Sequence, residues 1–249
     1  DLFVHNTFFK DTKVLGNANI KRFKISANNI FLLAVCKNGN KDELRLYINS
    51  KSLSYIIGEY SVIKTEEMPD YFDFIKDGKY FFTLSKDGKL NTYETDGLNF
   101  IYTSTDIGQS IKQIEISPSK NSLLLTTNSN TFLIWNFFEK KFNDKNKIIQ
   151  RLNNISGSSA IFAAEDAIMY INTNKILLYD IKLGQKFDLR KEINKYSRLI
   201  SNPYKNEVFA CIGQDEYAFF YIKERLYRNW NYEKLRTVFS LKSSNQGLK

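Results

Sequence analysis

Residues 111–136 read IKQIEISPSKNSLLLTTNSNTFLIWN. Ile111 to Ile116 is a strand-length stretch, and Ser117-Pro118-Ser119-Lys120-Asn121 is turn chemistry in which the proline presets φ. Leu123 to Thr127 is a second apolar run, and a third stretch ends in an apolar residue followed by an aromatic, Ile134-Trp135. The same kind of ending recurs at Leu46-Tyr47, Thr92-Tyr93, Leu178-Tyr179 and Phe220-Tyr221. Successive aromatics are 46, 42, 44 and 42 residues apart. A spacing held that closely is the mark of one supersecondary unit repeated along the chain.

Each unit contains the same parts. Ahead of the aromatic lies an apolar run: Ile30 to Val35, Tyr80 to Leu84, Leu123 to Thr127, Ile168 to Ile171 and Val208 to Ile212. Further upstream comes another strand-like stretch: Phe23 to Ile25, Tyr71 to Ile75, Ile111 to Ile116, Ala160 to Ala163 and Tyr196 to Ile200. Leu53 to Ile57 and Asn99 to Thr103 read as fourth strands following the aromatic. Asp77-Gly78 and Asp87-Gly88 predict type I′ hairpin turns, because both residue types tolerate positive φ. Asn202-Pro203-Tyr204-Lys205-Asn206 fills the slot of Ser117 to Asn121. A four-stranded antiparallel sheet repeated every 42 to 46 residues describes a propeller blade. The expected fold is therefore all-β, a β-propeller with about five complete blades plus partial terminal blades. A β-sandwich or a pair of small β-domains also yields many short strands, but neither explains the spacing.

Two of these units, Phe74 to Glu94 and Ile116 to Asn136, resemble WD40 repeats. In both, a turn ahead of a strand, a polar turn and a strand ending in the aromatic follow in that order. Only Tyr179-Asp180 keeps the aromatic–Asp dipeptide of that family, while Trp135-Asn136 and Tyr93-Glu94 depart from it. The Gly-His pair is absent, since the single histidine is His5. The resemblance covers roughly residues 20–225 and implies a non-enzymatic interaction platform in a larger assembly. Asp77-Gly78-Lys79-Tyr80-Phe81-Phe82 with Tyr93-Glu94-Thr95 is also similar to a blade of translation-initiation-factor propellers. That likeness implies the alternative, a propeller attached to the RNA machinery of translation initiation or ribosome biogenesis.

One propeller domain is expected over 1–249, as part of a longer protein, with a polar tail from 242 to 249. Val4-His5 aligns with Ile134-Trp135, which places the start in the third strand of an earlier blade. Arg225 to Leu235 reads as the one helical segment, and Thr237 to Leu241 as a further strand.

Composition narrows the chemistry. The chain of 249 residues is 43% apolar, enough for a large core, and it has no apolar run near the roughly 20 residues that span a bilayer. No secretory leader is legible, so cytoplasmic or nuclear residence is expected. Two Cys and one His make no zinc site, and no metal or cofactor is expected. His5 takes the place of a structural aromatic, and Cys36 and Cys211 fall at the ends of core strands. The acidic pairs Glu66-Glu67, Glu165-Asp166 and Asp215-Glu216 lie in separate units, so no catalytic set is expected. Net charge is +9, from 36 basic and 27 acidic residues, and 28 of the basic residues are Lys. Arg and aromatics concentrate together only near the end, at Arg225, Arg228, Trp230, Tyr232 and Arg236. Those residue types anchor protein interfaces and also stack on unpaired bases. A protein partner is the first expectation for this set, and RNA the second.

Overall fold

The computed structural model describes residues 3–6, 11–14, 19–50, 54–85, 87–104, 107–137, 149–173, 175–191, 196–201, 208–213, 216–222, 225–226, 229–230 and 235–242. Among them the only helical element is one 3-10 turn at Lys76–Gly78. Among the described residues no helix is long and apolar enough to cross a membrane. Contacts divide the chain into two compact units, Asp1–Gly108 and Gln109–Lys249.

The first unit opens with a hairpin of β1 (Phe3–Asn6) and β2 (Asp11–Val14). Sheet I follows in order β3 (Asn19–Ile25), β4 (Phe31–Asn38), β5 (Lys41–Ser50) and β6 (Ser54–Ile63). Sheet II has β7 (Tyr71–Ile75), β8 (Tyr80–Leu84), β9 (Leu90–Glu94) and β10 (Phe100–Ser104). In the second unit, sheet III is β11 (Ile111–Ile116), β12 (Ser122–Thr127), β13 (Thr131–Asn136) and β14 (Ile149–Ser156). Sheet IV is β15 (Ser159–Ala164), β16 (Ala167–Asn172), β17 (Lys175–Asp180) and β18 (Gln185–Lys191). In sheet V, β19 (Tyr196–Ser201), β20 (Val208–Gly213) and β21 (Glu216–Ile222) precede a two-residue ladder of β22 (Arg225–Leu226) and β23 (Asn229–Trp230). Only then does β24 (Leu235–Lys242) return to pair with β21. Each four-stranded sheet is a fully antiparallel meander, the construction of a propeller blade.

The repeated aromatic has one structural meaning. Tyr47, Tyr93, Trp135, Tyr179 and Tyr221 on the third strands pair with Leu32, Phe81, Leu123, Ile168 and Val208 at the start of the second strands. Tyr47, Tyr93 and Trp135 are buried there, and Tyr179 is partly buried. Phe81 and Tyr93 stack with ring centroids 4.9 Å apart.

The second strand of sheet IV is an unbroken apolar run because both faces of that sheet are covered. In sheet IV, Ala160, Phe162, Ile168 and Tyr170 pack against Leu124, Phe132 and Ile134 of sheet III. Ile161, Met169 and Ile171 face the other way, against Leu199, Phe209 and Cys211 of sheet V. Leu33, Val35, Leu44 and Leu46 of sheet I meet Phe72, Phe74 and Phe81 of sheet II in the same manner.

The turns separate into two solutions. At Lys76–Lys79, Asp77 takes φ 54° and Gly78 φ 91°, and the Lys79 N–H donates to the Lys76 carbonyl at 3.0 Å. This is the expected type I′ turn, and only glycine fits, since a Cβ on Gly78 would lie 2.7 Å from that of Ser26. At Asp87-Gly88 the expectation is corrected: Gly88 alone of the pair takes positive φ, 87°, and its N–H closes onto the Ser85 carbonyl. The Ser85 hydroxyl accepts the Lys89 N–H, so the side chain finishes a wider turn. Asn202 to Asn206 lies outside the described residues.

A second correction concerns Arg225 to Leu235. The described part of that segment is the β22–β23 ladder, with Arg225 opposite Trp230 and Leu226 opposite Asn229, and Leu235 at the start of β24. Tyr, Trp and Asn are weak helix formers. The segment leaves β21 and returns antiparallel to it as β24. The further strand expected at Thr237 to Leu241 is present within β24. Of the polar tail expected from 242 to 249, Lys242 is the last residue of β24, and 243–249 lies outside the described residues.

Candidate interaction surface

A buried polar staple holds the second unit together. In β11 a bulge between Ile111 and Gln113 re-aims the strand. The Gln113 side chain, 6% exposed, donates through Nε2 to the Ala160 carbonyl at 3.1 Å and the Leu199 carbonyl at 3.2 Å. Its Oε1 accepts the Ser159 hydroxyl at 2.6 Å, and that hydroxyl accepts the Leu199 N–H at 2.9 Å. One carboxamide thus satisfies edge groups on the first strands of sheets IV and V. Glu115, two residues on, accepts the Ser201 hydroxyl of β19 at 2.8 Å.

Arg22 occupies the same register in the first unit, directly after a bulge in β3 and four residues before a turn serine. Its guanidinium donates to the carbonyls of Pro69 and Asp70 at the entry to sheet II and lies 5.5 Å from the centre of the Phe72 ring. Both residues therefore tie a first strand to the sheet that follows. The sequence carried a faint signal of this in the mixed polar–apolar period of residues 111–116, which reads Gln113 as an interruption.

Three carboxylates of the expected acidic pairs, Glu66, Glu165 and Asp166, are engaged in structural contacts. Glu165 accepts the Ser119 N–H at 3.0 Å and its hydroxyl at 2.6 Å, joining the first turns of sheets III and IV. Asp166 pairs with Lys182, and Glu66 with Lys89. Asp180, of the retained aromatic–Asp dipeptide, accepts the Leu183 N–H and so shapes the β17–β18 turn. A polar cavity of about 50 Å³ lies between Thr65, Pro69, Thr83 and Ser85. Among the described residues no group of three metal-ligating side chains comes together.

Sheet I has its own polar chain. The Arg45 Nε and Nη2 donate to Glu43 at 3.0 and 2.8 Å, and Asn38 donates to the same carboxylate at 2.7 Å. The bonds from Asn38 and Arg45 hold the Glu43 pKa below its ordinary value. The Arg45 guanidinium lies 4.2 Å from the Tyr60 ring centre. Burial, then the contact with the Cys36 thiol 3.6 Å away, pushes Tyr47 up to about 12. Burial also raises the Cys36 pKa, which suppresses the thiolate. Cys36 and Cys211 are both wholly buried. Neither should react with a disulfide reagent at pH 7.5 in native buffer, and both should react once denaturant unfolds the chain. Rapid native labelling of either would contradict that burial.

The sequence-selected set divides. Arg225 and Trp230 are brought opposite each other by the β22–β23 ladder, and Arg236 stands on β24 opposite Tyr221. Arg228 and Tyr232 lie outside the described residues. His5 is on β1, opposite Thr12. The β22–β23 excursion springs from the connection between the third and fourth strands of sheet V. A matching twelve-residue connection, 137–148, joins β13 to β14 in sheet III, while that of sheet IV is the four residues 181–184.

No protein-family model matches the chain, and no curated protein matches it in sequence. Its fold is similar to that of a chain in the mitotic checkpoint complex, with TM-score 0.63 at 11% identity over 98% of this chain and 74% of that one. It is also similar to KlHsv2 with loop 6CD replaced by a Gly-Ser linker, with TM-score 0.57 at 15% identity over 91% of this chain and 67% of the other. Hsv2 of Kluyvelomyces marxianus gives TM-score 0.59 at 10% identity, over 91% of this chain and 62% of that one. At such identities the likeness carries the fold alone. The chain is an all-β protein of the β-propeller class, built from four-stranded antiparallel blades.

Proposed function

We propose that this protein is a non-enzymatic, WD40-like propeller that serves as an interaction scaffold within a larger intracellular assembly. Protein partners dock on Arg225, Arg228, Trp230, Tyr232 and Arg236. The observation that carries this reading is the excursion in sheet V, where Trp230 and Arg225 are paired in register on a short ladder between two paired strands. Such a projection concentrates the residue types that dominate interface energetics on a frame already ordered by sheet packing. The staple at Gln113, which reaches Leu199 of sheet V, supports that frame, and a rigid frame lowers the ordering cost of binding.

The test is affinity isolation of the full chain beside an Arg225→Glu, Arg228→Glu, Trp230→Ala variant. The parent is expected to retain a stoichiometric protein partner, and the variant to lose it while keeping its melting temperature. The alternative of RNA makes a different forecast. Tight binding to single-stranded RNA that survives physiological salt, with Trp230→Ala removing roughly 1–3 kcal/mol of stacking, would replace the scaffold reading.

A further inference from the structure

The charge of this protein is not shared between its two units. Residues 1–108 hold 14 basic and 14 acidic residues, whereas residues 109–249 hold 22 basic and 13 acidic. The whole excess of +9 therefore belongs to the second unit. Lysine does not produce the difference, since 12 in the first unit and 16 in the second are nearly the same density. A compositional bias toward Lys acts on both units alike. What differs is Arg, two against six, together with a thinner supply of acids in the second unit.

The placement of these arginines is equally uneven. Each fourth strand of the second unit carries one: Arg151 on β14 opposite Leu133, Arg190 on β18 opposite Ile176, and Arg236 on β24 opposite Tyr221. The fourth strands of the first unit, β6 and β10, carry neither Lys nor Arg. Arg151 and Lys186 are exposed. All these strands end their sheets, so among the described residues each presents one edge without a strand partner. Basic residues on edge strands often serve to prevent edge-to-edge aggregation. That role would call for them on β6 and β10 as well.

We infer that the outer edges of sheets III to V form a docking surface for an acidic, extended segment of a partner protein. This rests on the scaffold reading above and names the partner's chemistry. An extended peptide uses both properties of the surface: its backbone pairs with the open edge, and its carboxylates receive the planar guanidinium donors of Arg. A bilayer or a nucleic acid uses only the charge. For them the rim is less suited, because Asp188 stands on β18, paired with Lys175 of β17, and breaks the positive field into patches. Spaced carboxylates on a peptide fit such patches.

The test uses the full chain and a fluorescent 12-residue peptide alternating Glu with Val, followed by anisotropy at low and physiological salt. Binding is expected, weakening as salt rises. Arg151→Gln, Arg190→Gln and Arg236→Gln, made singly and together, should weaken it stepwise, at least tenfold for the triple variant, with melting temperature unchanged. Lys37→Gln with Lys41→Gln, exposed in the first unit, should change it less than twofold. A peptide N-methylated at alternate residues, with its charge intact, should bind at least tenfold more weakly. Should the triple variant fold poorly, competition on the parent chain decides. Displacement of the peptide by oligouridine or by phosphatidylserine vesicles at lower concentration than unlabelled peptide would overturn the inference. So would equal losses from changes in the first unit, or no loss on N-methylation. A native partner that stays bound to the triple variant would overturn it too, and would leave the scaffold reading standing.

Discussion

Trp135→Ala will cost about 3–5 kcal/mol of stability, the range for truncating a large buried aromatic. Trp135 is 1% exposed, holds the repeated third-strand position opposite Leu123, and lies 5.7 Å centroid to centroid from Phe137. Its indole N–H has no hydrogen-bond partner among the described residues. Trp135→Phe should therefore cost only about 1–1.5 kcal/mol, close to other near-isosteric apolar exchanges. Chemical denaturation of the three proteins measures both differences. A loss below about 1 kcal/mol for Trp135→Ala, in a range normal for surface sites, would show that the aromatic is not a core position. A loss for Trp135→Phe as large as for Trp135→Ala would mean that the indole N–H has a partner after all.

Gln113→Leu is expected to cost about 3 kcal/mol, although it exchanges one side chain for another of similar size and greater hydrophobicity. The substitution leaves the Ala160 and Leu199 carbonyls without their donor and the Ser159 hydroxyl without its acceptor. A buried polar group left unpaired costs about 1–3 kcal/mol. Ser159→Ala should cost less, since it orphans the Leu199 N–H and the Gln113 Oε1 but leaves both carboxamide donations in place. In the double variant the two effects should fall short of their sum by about 1 kcal/mol or more, as for residues sharing one network. Strict additivity would indicate that the carboxamide and the hydroxyl act separately. Hydrogen exchange at the Leu199 amide reports the same event, and should quicken in either variant.

The candidate site was only partly legible. The concentration of Arg and aromatics near Arg225 to Arg236 is a property of composition and needs no coordinates. Its location between the third and fourth strands of sheet V depends on β24 pairing with β21 across twelve intervening residues, and no local pattern encodes that closure. The staples were less legible still. Gln113 reads as an interruption in an apolar strand until Ala160 and Leu199, 47 and 86 residues away, are brought beside it.

What the sequence determined by itself is the repeat. A third strand ending in an aromatic and preceded by a fully apolar run specifies an antiparallel sheet through local periodicity and turn residues, and Asp77-Gly78 specifies its type I′ turn through steric freedom alone. Fourth strands were legible where they alternate, as after Tyr47 and Tyr93, and illegible at β14 and β18. Tertiary structure decided the rest. The second strand of sheet IV is buried from Ala167 to Ile171 because sheets III and V cover its two faces, and an apolar run does not say which neighbour does so. The inter-sheet partners of Arg22, Gln113 and Glu165 were decided in the same way. Hydrogen bonds between sheets join residues whose separation along the chain is set by whole repeats, and only packing one sheet on the next brings their donors and acceptors within about 3 Å.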